Sequence, residues 1–317
     1  MSDRSRWRTL ALSAAGVAVG GGIALARAVR LVPRPGSPYL AGAPLLIAHR
    51  GGAKLAPENT LLAFERALSW WRADILELDV QPTRDGEVVV FHDATLDRTT
   101  DGTGAVAAHS LEELRRLDAG YRFTPDGGTS FPFRARGIGV PTLREVLEAF
   151  PATRVNVEIK DGRVQQRVWD VVRDSRAVDR VLIAAGRRRD RSRLDGYPLP
   201  VSAGKEELRL FIAQLRLGLV LYVPPVDAFQ VPHFWENREI ATAELVRAAR
   251  SHNIPVHVWT VDEIEEMRRL LDRGVDGIVT DRPDRLARLL HERVSRPLPP
   301  GPPDPVPEAF LEPLLLA

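Results

Sequence analysis

From about residue 45 to residue 294 the chain alternates short runs rich in aliphatic and β-branched residues with amphipathic runs of helical period. That alternation demands a parallel sheet covered by helices, because parallel neighbours need a long crossover between them. Strands are expected at 45–49, 75–80, 88–92, 154–160, 180–184, 199–203 or 227–231, 255–260 and 277–280. Helices are expected at about 59–71, 142–150, 163–175, 205–216, 240–252, 262–273 and 283–294; in 240–252, Leu245, Ala248 and Ala249 would face inward. A chain of 317 residues, 44% hydrophobic, has room for one barrel of about 250 residues. The expected fold is α/β, a single TIM (β/α)8 barrel, with an open doubly wound sheet as the alternative. One connection departs from the repeat. Only eight residues separate Asp79 from Val88, too few for a crossover helix, so strands 2 and 3 would be joined by a short helix-less return through Gln81 to Arg84 and a turn at Asp85-Gly86.

The barrel unit is expected at 44–294, with different material on either side. Residues 1–8 form a basic flank, with Arg4, Arg6 and Arg8. Residues 9–26 carry no charge, and 9–32 reads as a transmembrane anchor or a signal segment, with Ala24-Leu25-Ala26 as a small-x-small cleavage pattern. The expected location is therefore membrane-anchored or exported, with the barrel outside the cytoplasm. A Pro-rich linker is expected at 33–43, and a Pro-rich disordered tail at 295–317.

Composition removes several classes of function. With 44 basic against 42 acidic residues there is no global field to recruit nucleic acid. The densest basic run, Arg187-Arg188-Arg189 with Arg191 and Arg193, lacks interleaved aromatics and reads as a solvated loop. The absence of Cys excludes disulfides, thiolate metal sites and thiol nucleophiles. Lysine occurs only at 54, 160 and 205.

The polar residues that interrupt the strands carry the chemistry. Strand 45–49 ends in His49 and Arg50 before Gly51-Gly52, and strand 88–92 ends in His92. In 75–80, Glu77 and Asp79 lie two apart and share one face. In 154–160, Asn156, Glu158 and Lys160 do the same. Carboxylates facing a barrel interior repel and are costly to bury unpaired. A divalent cation relieves that cost, and oxygen ligands point to calcium, magnesium or manganese rather than zinc. Two histidines beside three carboxylates suit a proton-transfer pair next to a metal. Arg50 offers a planar fork for phosphate and Lys160 a point charge. No Gly-x-Ser-x-Gly elbow or His-Glu-x-x-His pattern is present, which favours phosphodiester cleavage over acyl transfer or zinc hydrolysis.

The sequence resembles the glycerophosphodiester phosphodiesterases. The resemblance runs through His49-Arg50-Gly51-Gly52, Pro57-Glu58-Asn59-Thr60, Glu77-Leu78-Asp79, Thr83-Arg84-Asp85-Gly86, His92-Asp93 and Arg98-Thr99-Thr100 with Gly102 and Gly104. It continues through Pro141-Thr142-Leu143, Glu158-Ile159-Lys160, Trp259-Thr260-Val261 and the stretch from Gly274 to Asp281. It implies a phospholipase-C-like phosphodiesterase barrel with His49 and His92 as the acid/base pair. It also implies Glu77, Asp79 and Glu158 as ligands of a divalent metal, Ca2+ or Mg2+, and Arg50 and Lys160 as phosphate holders. The implied reaction releases sn-glycerol 3-phosphate and an alcohol from a glycerophosphodiester. Glu58-Asn59 would support the first loop, the alternative being a helix cap at Asn59 with Glu58 exposed. Trp259 would line the pocket or pack in the core.

Residues 226–232 are similar to a subgroup with lysophospholipase D-like members, which makes a lipid phosphodiester an alternative substrate. Phe131, Phe133, Phe229, Phe234 and Trp235 would then rim an acyl site, or cover the core. A non-catalytic lipid-binding barrel is a third reading, disfavoured by the complete set of histidines and carboxylates.

Overall fold

The computed structural model describes residues 37–218 and 220–304. Strands β1 (Leu45–His49) and β2 (Ile75–Pro82) flank helix α1 (Leu61–Ser69), and β3 (Val88–Val90) follows. An excursion containing α2 (Leu111–Leu114) leads to α3 (Leu143–Ala149), β4 (Arg154–Ile159), α4 (Gln165–Asp174) and β5 (Val181–Ala185). Helix α5 (Lys205–Arg216) precedes β6 (Phe229–Pro232) and the small hairpin of β7 (Phe234–Trp235) and β8 (Arg238–Glu239). The chain closes with α6 (Ala243–Arg250), β9 (Val256–Trp259), α7 (Ile264–Asp272), β10 (Gly277–Thr280) and α8 (Pro283–Val294).

The parallel strands run in the order β5-β4-β2-β1-β10-β9-β6 and curl into an α/β barrel. Isolated parallel bridges, Ile183 with Val201 and Ser202 with Ala228, link the two ends of this path. The stretch 199–203 and the stretch around 227–231 were alternatives in the sequence; both take part. Residues along one strand alternate between two cores, as the pleat requires. Leu46 and Ala48 join the large outer cluster beneath the helices, while Leu45 and Ile47 join an inner one with Ile75, Leu182 and Val279.

One expectation needs correction. Segment 88–92 is not a parallel strand: β3 runs antiparallel to β2, with Val80 opposite Val90. The short connection folds as a hairpin, with Gly86 at φ +81° and its N–H donating to the Thr83 carbonyl at 3.2 Å. The described end of the expected linker packs on the barrel. Tyr39 and Leu40 are buried in the inner cluster and close its floor, and Arg154 Nη1 donates to the carbonyls of Tyr39 and Ala41.

The Pro-rich tail, where described, is packed. Gly301 N–H donates to the Trp70 carbonyl at 2.9 Å, Arg296 pairs with Asp74 at 2.6 Å, and Asp304 is held by Arg282 and Arg285. A side chain at 301 would collide with the Trp71 ring, its Cβ falling 2.3 Å from a ring carbon. Proline favours extended backbone, and here that backbone has partners. The membrane-directed segment 9–32 lies outside the described residues, and no helix among the described residues is long and apolar enough to cross a membrane.

Candidate active site

The carboxyl ends of the barrel strands surround a cleft of about 550 Å3 that touches His49, Arg50, Glu77, His92, Glu158, Lys160 and Trp259. Of the residues expected at the site, only Asp79 is hidden from it, fully buried behind Arg50 and Lys160. Parallel register explains the convergence. Asp79 stands opposite Glu158 and Glu77 opposite Asn156 on β4, while His49 stands opposite Glu77. Oxygen atoms of Glu77, Asp79 and Glu158 all lie within 4.8 Å of one another.

The loop after β1 is fixed by backbone geometry. Arg50 adopts φ +51° and its N–H donates to Glu77 Oε2 at 3.0 Å. Gly51 follows at φ +84°, where a Cβ would fall 2.7 Å from that of Ala63. Asn59, also at positive φ, receives the Asp79 N–H and donates Nδ2 to Asp79 Oδ2 at 3.0 Å. The helix cap is Thr60 rather than Asn59, and Glu58 turns inward, so loop support is the reading that holds.

Each histidine is oriented by an aspartate through Nδ1. His49 Nδ1 lies 2.7 Å from Asp281 Oδ1, with Nε2 4.0 Å from Glu77 Oε2. Burial opposes the imidazolium, but the hydrogen bond to Asp281 and the charges of Glu77 and Asp281 outweigh it and raise the pKa to about 9. His92 Nδ1 lies 2.5 Å from Asp93 Oδ1. Burial pushes the Asp93 carboxyl up, yet Arg98 and His92 pull it down to about 2. A chain of alternating charge joins the two loops. Arg50 pairs with Glu58 at 2.9 Å, Glu58 with Arg98 at 2.7 Å, and Arg98 with Asp93 at 2.6 Å.

Sequence reasoning assigned no role to Asp281, Asp93 or Arg98. Asp93 follows its histidine directly and could have been found by adjacency. Asp281 lies 232 residues from His49, and only the pairing of β1 with β10 brings it close.

The three carboxylates form an unstable set by themselves. Burial and the nearby charges of Asp79 and Glu158 push Glu77 well above the usual carboxylate range. Burial would raise Asp79 too, but Lys160 at 2.9 Å and Arg50 at 3.1 Å hold it low. Asp79 Oδ1 is buried, with the Lys160 ammonium as its charged partner. Three converging carboxylates, one of them held protonation-prone by its neighbours, fit a hard divalent cation.

The rest of the expected rim divides. Trp259 is 39% exposed and lines the cleft, and Phe234 and Trp235 line it as well. Phe133 and Phe229 are fully buried core residues and form no rim; Phe131 stacks on Arg134 and does not line the cleft.

An α/β barrel with a carboxylate cluster able to hold a metal ion and two aspartate-oriented histidines at its mouth has the parts that a phosphodiester hydrolase needs. The Glycerophosphoryl diester phosphodiesterase family profile matches residues 49–194 and 218–285. The chain belongs to that family. A glycerophosphodiester phosphodiesterase of Caldanaerobacter subterraneus subsp. tengcongensis is 36% identical over 264 residues, covering 78% of this chain and 98% of the relative. A lysophospholipase D of Rattus norvegicus is 29% identical, covering 77% and 85%.

Among solved structures, a glycerophosphoryl diester phosphodiesterase domain of Mycobacterium tuberculosis superposes with TM-score 0.71 at 22% identity, over 79% of this chain and all of that one. An Oleispira antarctica phosphodiesterase, solved in complex with the product sn-glycerol-3-phosphate, superposes with TM-score 0.59 at 23% identity, over 79% of this chain and 97% of that one.

Proposed function

We propose that this protein hydrolyses glycerophosphodiesters to sn-glycerol 3-phosphate and an alcohol. The observation that carries the reading is the meeting of Glu77, Asp79 and Glu158 oxygens within 4.8 Å, beside two histidines held through Nδ1. Family membership and the relative's product complex support the substrate class.

In this reading His49 and His92 form the acid/base pair, each leaving Nε2 as the ring nitrogen available to substrate. Across the whole reaction one water is added to the P–O bond. Its hydroxyl ends on phosphorus and its proton on the departing alcohol, and the imidazoles carry those protons. The aspartates keep both rings in the tautomer that presents Nε2. Arg50 and Lys160 face the phosphate as cations, and Trp259 offers a flat apolar wall to the group beyond it. A divalent ion, Ca2+ or Mg2+, held by Glu77, Asp79 and Glu158, would supply positive charge against the negative charge that gathers on phosphoryl oxygens.

The test is turnover of glycerophosphocholine by the full chain before and after chelation. Activity lost to chelator and restored by Ca2+ or Mg2+ is expected; activity indifferent to chelator would sink the metal reading. A second reading, lysophospholipase D action, is favoured by the apolar wall of Pro232, Phe234, Trp235 and Trp259. Faster turnover of lysophosphatidylcholine than of glycerophosphocholine would replace the first reading by this one.

Two further readings belong here. The barrel is read as (β/α)8, with Val201-Ser202 as its fifth stave, a point that slow amide exchange at Ser202 and Ile183 would test. Residues 9–32 are read from sequence as an anchor or signal that places the barrel outside the cytoplasm; digestion of the barrel by protease added to intact cells, after removal of the outer envelope, would test that.

A further inference from the structure

The cleft has two branches of opposite character. One wall is the apolar set just described. On the other side, past Lys160, the cleft continues into an adjoining cavity of about 360 Å3, the two sharing Glu158, Lys160, Gly186 and Lys205 as a common border. The acids of this second cavity are all committed. Glu158 is paired with Lys160 at 3.0 Å, Asp161 with Arg163 at 2.6 Å and Asp190 with Arg189 at 3.7 Å.

Two cations are left over. The side chains of Arg187 and Lys205 line the cavity, are exposed, and make no ion pair or hydrogen bond among the described residues. The carboxylate that feels Arg187, Glu206, accepts from the Arg188 N–H at 3.3 Å. The arginine run therefore splits by role. Arg191 is buried and braces the fold through Glu207 and Asp195, both at 2.6 Å, and Arg188 pairs with Asp195 at 2.8 Å. Of the two arginines of the run that line the cavity, Arg189 pairs with Asp190, while Arg187 makes no ion pair among the described residues.

Backbone contacts hold the two residues next to each other. Lys205 N–H donates to the Gly186 carbonyl at 3.1 Å, and Gly204 lies so close to the next turn that a Cβ would fall 2.6 Å from Arg188 N. Two neighbouring exposed positive charges, neither in an ion pair among the described residues, border a phosphate-binding centre and attract a second anion.

We propose that Arg187 and Lys205 form a second anion subsite, selecting glycerophosphodiesters whose leaving alcohol carries its own phosphate monoester or similar anionic group. The inference rests on the phosphodiesterase reading above. Because that reaction fixes one half of the substrate as unsubstituted glycerol, the added charge must ride on the leaving alcohol.

A matched pair of substrates tests this on the full chain with divalent metal present: glycerophosphoinositol and glycerophosphoinositol 4-phosphate. The expected kcat/KM is about tenfold higher for the phosphorylated member, the scale of one or two exposed charge pairs. The gap should narrow in about 0.5 M salt, where screening is strong. In the double variant Arg187→Gln/Lys205→Gln the ratio should approach one, chiefly through KM, with an unchanged melting temperature because both side chains are exposed. Equal rates with the unaltered chain, or a preference that survives the double substitution, would overturn the subsite alone. Failure to hydrolyse either substrate while glycerophosphocholine is turned over would overturn the subsite alone; failure on all three would overturn the phosphodiesterase reading and the subsite with it.

Discussion

His257 shows how a single side chain can limit the pH range of the whole barrel. It is 1% exposed inside the barrel, opposite Gly277, whose missing side chain leaves room for the imidazole. Neither ring nitrogen has a hydrogen-bond partner among the described residues. Burial, with a smaller push from Arg154, lowers its pKa from 6.5 to about 4. The unfolded chain therefore takes up this proton at a higher pH than the folded one. Stability is intact above pH 6.5, drains as pH falls, and the loss is complete below about pH 4. Between pH 7 and pH 5 His257 alone removes about 2 kcal/mol of folding stability, measurable as the difference in urea-midpoint shift between the unaltered chain and His257→Leu, since the raised carboxyl of Glu77 acts in the opposite sense. His257→Leu should flatten that acid limb; an unchanged limb would exonerate the residue.

At the mouth, the expected effect of His92→Ala is a loss of at least about a hundredfold in kcat with a folded protein. Full activity in that variant would revive the non-catalytic lipid-binding reading. The charge chain from Arg50 to Asp93 means that neither histidine loop can be altered alone, since Glu58 contacts both sides.

At the scale of elements, the β1–α1 junction is the least forgiving. Gly51→Ala must place a Cβ 2.7 Å from Ala63 at a positive φ, so helix or loop must move. We expect a destabilisation above about 2 kcal/mol, together with displacement of His49 and lost turnover. Wild-type melting and activity would show that the junction yields more easily than its packing suggests.

Elements with strong periodicity were legible in the sequence. The expected helix at 283–294 is the observed one, and the carboxylates of β2 and β4 share the face that period two assigns them. The excursion between β3 and α3 was not legible. It forms its own small core from Val89, Leu96, Val106, Leu114 and Val140, scattered without period in the sequence. The antiparallel β3 was missed as such because a buried hairpin arm and a buried parallel strand present the same apolar run. Metal-type carboxylates and histidines could be read from strand ends, whereas the aspartates that aim the rings depend on tertiary contact.

For the molecule as a whole, the folded unit is wider than its repeat. A fragment spanning 44–294 would lose the Tyr39–Leu40 plug and the tail over Trp71. Burial of each large apolar side chain contributes about 1.5–3 kcal/mol. That fragment should therefore melt well below one spanning 37–304; equal melting would show the plug and tail to be dispensable.

The plug also sets where the chain enters the barrel. Whatever precedes Ser37 joins the barrel at its floor, where Tyr39 meets the amino ends of the strands, while the cleft opens at their carboxyl ends. Under the proposal that residues 9–32 anchor the chain, the barrel would be fastened by its base and its mouth would face the bulk liquid. Diffusing, water-borne esters reach such a mouth directly, and their products leave by the same open route.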